Sequence, residues 1–162
     1  MSVMVRKVAR LLLLPTLLTA AAILVKGYVE PGDGFSAGVV AALGILLQYL
    51  ALGRGEAEKL PLVRHALPVA FAGLLLSLGV AAAPLVLGEP VLTHYPSAGS
   101  KVVHLGTLEL ITAVLFDVGV FLLVFGFAVG TVTIFARAIA RANVDGDAER
   151  DVGADPEAGG IR

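Results

Sequence analysis

Apolar positions along this chain neither alternate with polar ones nor recur as a single narrow stripe; they run together in four blocks, at about 8–25, 35–53, 66–88 and 107–136. The first holds the uncharged run LLLLPTLLTAAAILV. The second, FSAGVVAALGILLQYLALG, and the third, ALPVAFAGLLLSLGVAAAPLVLG, contain no charge, and the fourth is interrupted by Glu109 and Asp117. A hydrocarbon core of about 30 Å is crossed by roughly 20 such residues in a helix. In lipid the backbone must satisfy its own hydrogen bonds, so only helices and closed barrels span. Barrel strands alternate apolar and polar residues, and these blocks do not. The pattern predicts an all-α integral membrane protein with four transmembrane helices. Pro15, Pro68 and Pro84 sit inside the spans or near their ends and predict kinks.

Composition strengthens this reading. Hydrophobic residues make up 57% and charged residues 15% of the 162. Soluble domains are about 45–50% apolar and about 25% charged. Cysteine is absent, which excludes disulfides, thiolate metal sites and a cysteine nucleophile. His65, His94 and His104 are scattered, so no metal site is expected. A net charge of −1 gives no basic excess for nucleic acid. Phosphate-loop, nucleophile-elbow and HExxH patterns are all missing, and no cofactor is implied.

The placement of charge gives an orientation. Ten of the twelve Lys and Arg residues precede span one, lie between spans two and three, or follow span four. Only Lys26 and Lys101 fall on the other side. The positive-inside rule then puts both termini and the 53–65 loop in the cytoplasm, an N-in/C-in arrangement in the cell membrane. A cleavable leader is the competing reading of span one, given its basic start and the Ala20-Ala21-Ala22 stretch. The membrane domain is expected over 1–142. Residues 143–162, acidic and rich in Gly and Ala, read as a disordered cytoplasmic tail.

Two stretches carry candidate chemistry. Between spans one and two, Gly27-Tyr28-Val29-Glu30-Pro31-Gly32-Asp33-Gly34-Phe35 has turn composition and predicts a tight outer hairpin. Asp33 is placed to cap span two. Alternatively, Glu30 and Asp33 form a weak cation-attracting mouth beside Lys26. In span four, an acid costs roughly 2.5–3.5 kcal/mol at a helix centre and normally faces protein or water. Helical spacing puts Glu109, Thr112, Ala113, Phe116 and Asp117 on one broad face. Gly119, Gly126 and Gly130 lie on another, suited to close helix contact. Val118 to Ala136 is itself long enough to span, which would leave Asp117 at the outer edge and Glu109 outside the core. Asp117 and Glu109 are the acids to watch, as interfacial groups, subunit contacts or members of an ion path. Gln48 and Ser77 are expected to bond between helices.

The Lys26–Gly38 run resembles the Gly-His-x-x-Pro-Gly-Gly-Gly-Phe-x-x-Gly signature of the B subunit of multisubunit Na⁺/H⁺ antiporters of the Mrp or Mnh type. Thr107–Ala113 followed by Phe116–Val120 resembles that family's Thr-Glu-Leu-x-Thr-Ala…Phe-Asp-x-Gly-Val stretch. The Leu92-Thr93-His94 patch also fits, and the likeness covers about Arg6 to Gly130. The family's usual His is Tyr28 here, and its central Gly is Asp33. The resemblance implies an accessory subunit, not an enzyme, packed against other subunits of an assembly that exchanges Na⁺ for H⁺. It carries over Pro31, Gly32, Gly34 and Phe35 as hairpin-shaping residues, and Glu109 and Asp117 as the acids of interest. The same subunit type recurs in redox-driven complexes such as membrane-bound hydrogenases. A purely structural scaffold is the third reading.

Overall fold

A computed structural model describes residues 3–27, 32–86, 88, 90, 91, 104, 105, 108, 109 and 112–153. Four long helices carry the apolar blocks: α1 (Val3–Lys26), α2 (Gly34–Leu52), α5 (Ala66–Val86) and α6 (Thr112–Gly153). All four are long and apolar enough to cross a membrane. Two single-turn helices, α3 (Arg54–Ala57) and α4 (Pro61–Arg64), link α2 to α5. Gly53, at φ +81°, makes the reversal after α2. Pro61 opens α4 at a position where its missing N–H costs nothing.

The helices pack in a row, α1–α2–α6–α5, with α1 and α5 as the flanks. Side-chain pairs fix the directions. Gln48 of α2 reaches Ala9 near the start of α1, and Gly44 faces Thr16, so α1 and α2 are antiparallel. Between α2 and α6, Gly38 faces Phe121 and Val124 while Tyr49 bonds Thr133, so these two helices run parallel. On α5 and α6, Ser77 faces Gly119, Gly73 faces Leu122 and Leu67 faces Gly130, an antiparallel ladder.

Small residues set the spacing. The buried face of α2 begins with Gly34, Ala37, Gly38, Ala41, Ala42, Gly44, Ile45 and Gln48. Such a face lets backbones approach, which matters in lipid because no hydrophobic drive holds helices together there. On α6, the expected glycine face is present: a Cβ at Gly126 would lie 2.5 Å from the Ala70 nitrogen, and one at Gly119 2.8 Å from the Ser77 nitrogen. Large apolar side chains go where little packs against them: Leu14, Leu75 and Phe127 are among those left exposed. In a bilayer that exposure carries no penalty.

Buried polar groups are few and bonded. The Gln48 amide, 1% exposed, donates to the Ala9 carbonyl at 2.7 Å. Thr133 donates its hydroxyl proton to the Val129 carbonyl, so the Tyr49 hydroxyl donates to Thr133 across the α2–α6 seam at 2.8 Å. Ser77 departs from expectation. Its hydroxyl turns back to the Leu74 carbonyl of its own helix at 3.1 Å, because the backbone of Gly119 is too close to leave room for a bridge.

At the end of the row that carries α3 and α4, ion pairs tie the short helices to the long ones. Glu56 meets Arg10 of α1 at 2.9 Å and Lys59 at 2.5 Å. Glu58 meets Arg54 at 3.3 Å and Arg137 of α6 at 3.2 Å. Exposed pairs of this kind contribute about 0–1 kcal/mol each.

Both ends of the fourth helix differ from the expected span limits. The fourth helix starts at Thr112, not near 107; Leu108–Glu109 instead pairs antiparallel with His104–Leu105. The sequence offers a reason, since glycine is a poor helix former and Gly106 stands at the expected start. At its other end α6 runs on past the expected span limit of 136 and into the expected tail, as far as Gly153. Extending an existing helix costs far less than nucleating one, and Ala138, Ala140, Arg141 and Ala142 are good formers. Residues 154–162, the rest of the expected tail, lie outside the described residues.

Candidate functional site under the turn between α1 and α2

The two stretches singled out in the sequence meet. Asp117 lies five residues into α6, about 7.5 Å along its axis from Thr112. It is 6% exposed. The Gly32 backbone N–H donates to its Oδ2 at 2.7 Å. That length is the short range of bonds to carboxylates. Gly27, which follows α1, comes equally close: a Cβ there would be 3.2 Å from Asp117 Oδ2. Gly27 and Gly32, described residues on either side of the turn between α1 and α2, therefore meet at one carboxylate of α6.

Glycine is required at two of these positions for different reasons. Gly32 has φ +124°, a conformation that side chains rarely adopt, and it is this backbone that aims the N–H at Asp117. Gly34 begins α2 flat against α6; a Cβ there would overlap the Asp117 carbonyl oxygen and lie 2.9 Å from its carbon. Asp33, between them, stands at the N-cap of α2 but makes no side-chain cap bond. Its Oδ2 lies 3.5 Å from Lys26 Nζ instead, joining the end of α1 to the start of α2. Ser36 returns a hydroxyl bond to the Asp33 carbonyl at 2.9 Å.

The remaining candidates divide. Phe35, expected to shape the hairpin, points outward and is 61% exposed. Glu30 and Pro31 lie outside the described residues, as does Tyr28. Glu109 sits on the second short strand opposite His104, off α6 altogether. The expected face joining Glu109 to Asp117 is therefore absent; Thr112 is the first helical residue. No group of three or more metal-ligating side chains occurs among the described residues.

Asp117 opens the uncharged stretch of α6. Twenty residues separate it from Arg137, which is about 30 Å of helix, the thickness of a hydrocarbon core. Those two residues bracket the uncharged segment of α6, as the sequence allowed. Sequence reasoning missed the convergence on Gly32 and Gly34 because periodicity within one helix says nothing about a turn 85 residues away. A signal for half of it was present. Gly34, Ala37, Gly38 and Ala41 recur at the spacing of one helix face and mark α2 as a close-packing surface.

Residues 4–130 match the model of a domain related to the MnhB subunit of Na⁺/H⁺ antiporters. Among curated relatives, a protein of Rhizobium meliloti named as a probable K⁺/H⁺ antiporter A/B subunit is 36% identical over 76% of this chain. The chain spans only 12% of that longer protein. The Na⁺/H⁺ antiporter B subunit of Alkalihalophilus pseudofirmus is 33% identical over 68% of this chain and 76% of its own length. The corresponding B subunit of Bacillus subtilis is 39% identical over 62% of this chain and 68% of its own length. The turn, Asp117 and most of the four-helix row lie within the matched stretch, and the chain is a multi-pass membrane protein that belongs to the family of MnhB-related antiporter subunits.

Proposed function

We propose that this chain is an accessory subunit of a multisubunit antiporter that exchanges Na⁺ for H⁺, and that Asp117 acts in it as a latch. The carrying observation is the Gly32 N–H bond to a carboxylate that is almost fully enclosed. A group held by the Gly32 backbone, and walled by Gly27 and Gly34, ties the two ends of the outer turn to α6. The relatives' printed names, all of them A/B or B subunits of antiporters, support the assembly. The open row supports it too, since both flanks leave large apolar residues for partner helices or lipid.

The orientation belongs to the same reading. The basic residues at the α3–α4 end support a cytoplasmic position for that end and for both termini in a cell membrane. The turn then faces outward. A second reading keeps Asp117 in a proton or cation route. It is favoured by one observation: Asp33, already beside Lys26, approaches the same Gly27 that Asp117 abuts.

Two experiments decide. The tagged chain is purified from its native membrane in mild detergent and its companions are identified by mass spectrometry. Antiporter-like large subunits are expected. Iron–sulfur or nickel subunits would move the chain to a redox-driven pump, and a solitary chain would end the subunit reading. Asp117→Asn then separates the roles, because the amide keeps an acceptor oxygen but carries no charge. The latch predicts intact assembly and intact exchange in Asn, with both lost in Asp117→Leu. Intact assembly with exchange abolished in Asn would establish the ion route instead.

A further inference from the structure

At the basic end of the row, the seam between α5 and α6 opens into a cavity of about 120 Å³. Arg64 stands on one side and Arg137 on the other, with Pro68, Thr133, Leu67 and Ile134 between. Arg137 is paired at 3.2 Å with Glu58, a carboxylate it shares with Arg54, so this end keeps a net positive charge. Arg64 is exposed and has no ion-pair or hydrogen-bond partner for its side chain among the described residues. The first turn of α5 borders the same cavity, and the positive end of a helix dipole adds to the field of two guanidinium groups.

The seam continues away from the charges as an apolar track. Phe71 is one turn beyond Leu67 on α5, and Phe127 is two turns beyond Ile134 on α6. All four are exposed, at 44% for Leu67, 66% for Phe71, 54% for Ile134 and 65% for Phe127. A small cationic cavity at the end of a span, opening directly onto an apolar track, matches an anion with hydrocarbon chains attached. Its size suits a phosphate and not a helix. We propose that this seam is a binding site for an anionic phospholipid, with Arg64 holding the phosphate, Arg137 assisting, and an acyl chain lying along Leu67, Phe71, Ile134 and Phe127. Basic pockets between spanning helices on the positively charged side recognise such headgroups.

The chain contains neither Trp nor Cys, so one reporter of each kind can be introduced cleanly. Phe71→Trp is placed in the full chain and reconstituted into phosphatidylcholine bilayers holding a minor fraction of brominated phosphatidylglycerol. Quenching should report an enrichment of the anionic lipid of about fivefold per engaged arginine. It should fall toward the bulk value in Arg64→Gln and at high salt, and survive in Arg64→Lys. A Leu14→Trp reporter on the opposite flank should show no enrichment. Equal quenching at the two reporters, or enrichment indifferent to Arg64→Gln in a variant of wild-type helicity and melting, overturns the proposal. For the assembled state, Ile134→Cys carrying a photoactivatable label is irradiated in native membranes. Lipid adducts are expected. A polypeptide adduct at that position overturns the proposal in favour of a protein neighbour.

Discussion

Gly34→Ala adds one methyl group at the tightest point of the candidate site. Placed on the existing backbone, that methyl carbon lies 2.9 Å from the Asp117 carbonyl carbon and 3.0 Å from its Cα, and overlaps the oxygen. The obstacles are all backbone, so no rotamer change relieves them. Ordinary contact needs 3.4–4 Å. The start of α2 must therefore retreat from α6 by about 1 Å, a distance set by the overlapped oxygen, in the range where overpacking costs about 1–3 kcal/mol. The same retreat draws Gly32 away with α2. Its 2.7 Å bond to Asp117 would lengthen to about 3.7 Å, beyond the reach of a hydrogen bond. About 1 kcal/mol more is lost there. Gly79→Ala is the matched control, since a Cβ at Gly79 meets nothing within 4 Å. In open helix the same change is favourable by about 0.5–1 kcal/mol. Heating each purified variant in detergent and following monodispersity should give a lower midpoint for Gly34→Ala and an equal or higher one for Gly79→Ala. If Gly34→Ala melts with the wild type, the close approach of α2 to α6 at Asp117 is wrong, and the latch falls with it.

Other outcomes follow from the same packing. Gly126→Val should part α5 from α6, because its first added carbon meets the Ala70 backbone; engineered cysteines at Leu67 and Gly130 that cross-link in the wild type should cease to do so. Gln48→Leu removes the bond to the Ala9 carbonyl, and the midpoint should fall only slightly, consistent with about 0.6 kcal/mol for such bonds in membranes. Glu56 is held below its ordinary value of 4.5 by the hydrogen bond and charge of Lys59, with Arg10 adding to it. A lowered carboxyl stabilises the fold above its unfolded pKa and loses that contribution as pH falls through the folded one. The tie between α1 and α3 should therefore hold at neutral pH and weaken only below about 4.5, a loss that Glu56→Gln abolishes in a pH series of proteolysis rates in the 53–65 loop.

What the chain disclosed in advance, and what it withheld, follow from the range of each signal. Spans are local: twenty uncharged residues must cross or be buried, and the four helices stand where the blocks do. The glycine face of α6 is local as well, because Gly126 and Gly130 share one side of one helix. The pairing of Gly32 with Asp117 is not, since it depends on α2 and α6 running parallel with α5 beyond them. Glu109 fits the spacing of 3.6 residues per turn, yet a pattern of two acids eight apart cannot tell whether the chain has begun to coil. The extension of α6 past residue 142 escapes prediction for the opposite reason. Composition weighs the acidic and glycine-rich residues, whereas a helix already packed over twenty-five residues carries its neighbours along.

The buried face of α2 has a consequence for how this protein must be interrogated. Six of its first eight buried positions are already glycine or alanine: Gly34, Ala37, Gly38, Ala41, Ala42 and Gly44, before Ile45 and Gln48. An alanine scan deletes side chains, and along this seam there is almost nothing to delete. Such a survey passes over Ala37, Ala41 and Ala42, and at Gly34, Gly38 and Gly44 it adds a methyl group instead of removing one, so any signal there reports crowding and not a lost side chain. Only substitutions that add bulk would make the contact visible, so a tolerance map read by enlargement and one read by truncation should be near negatives of each other over α2.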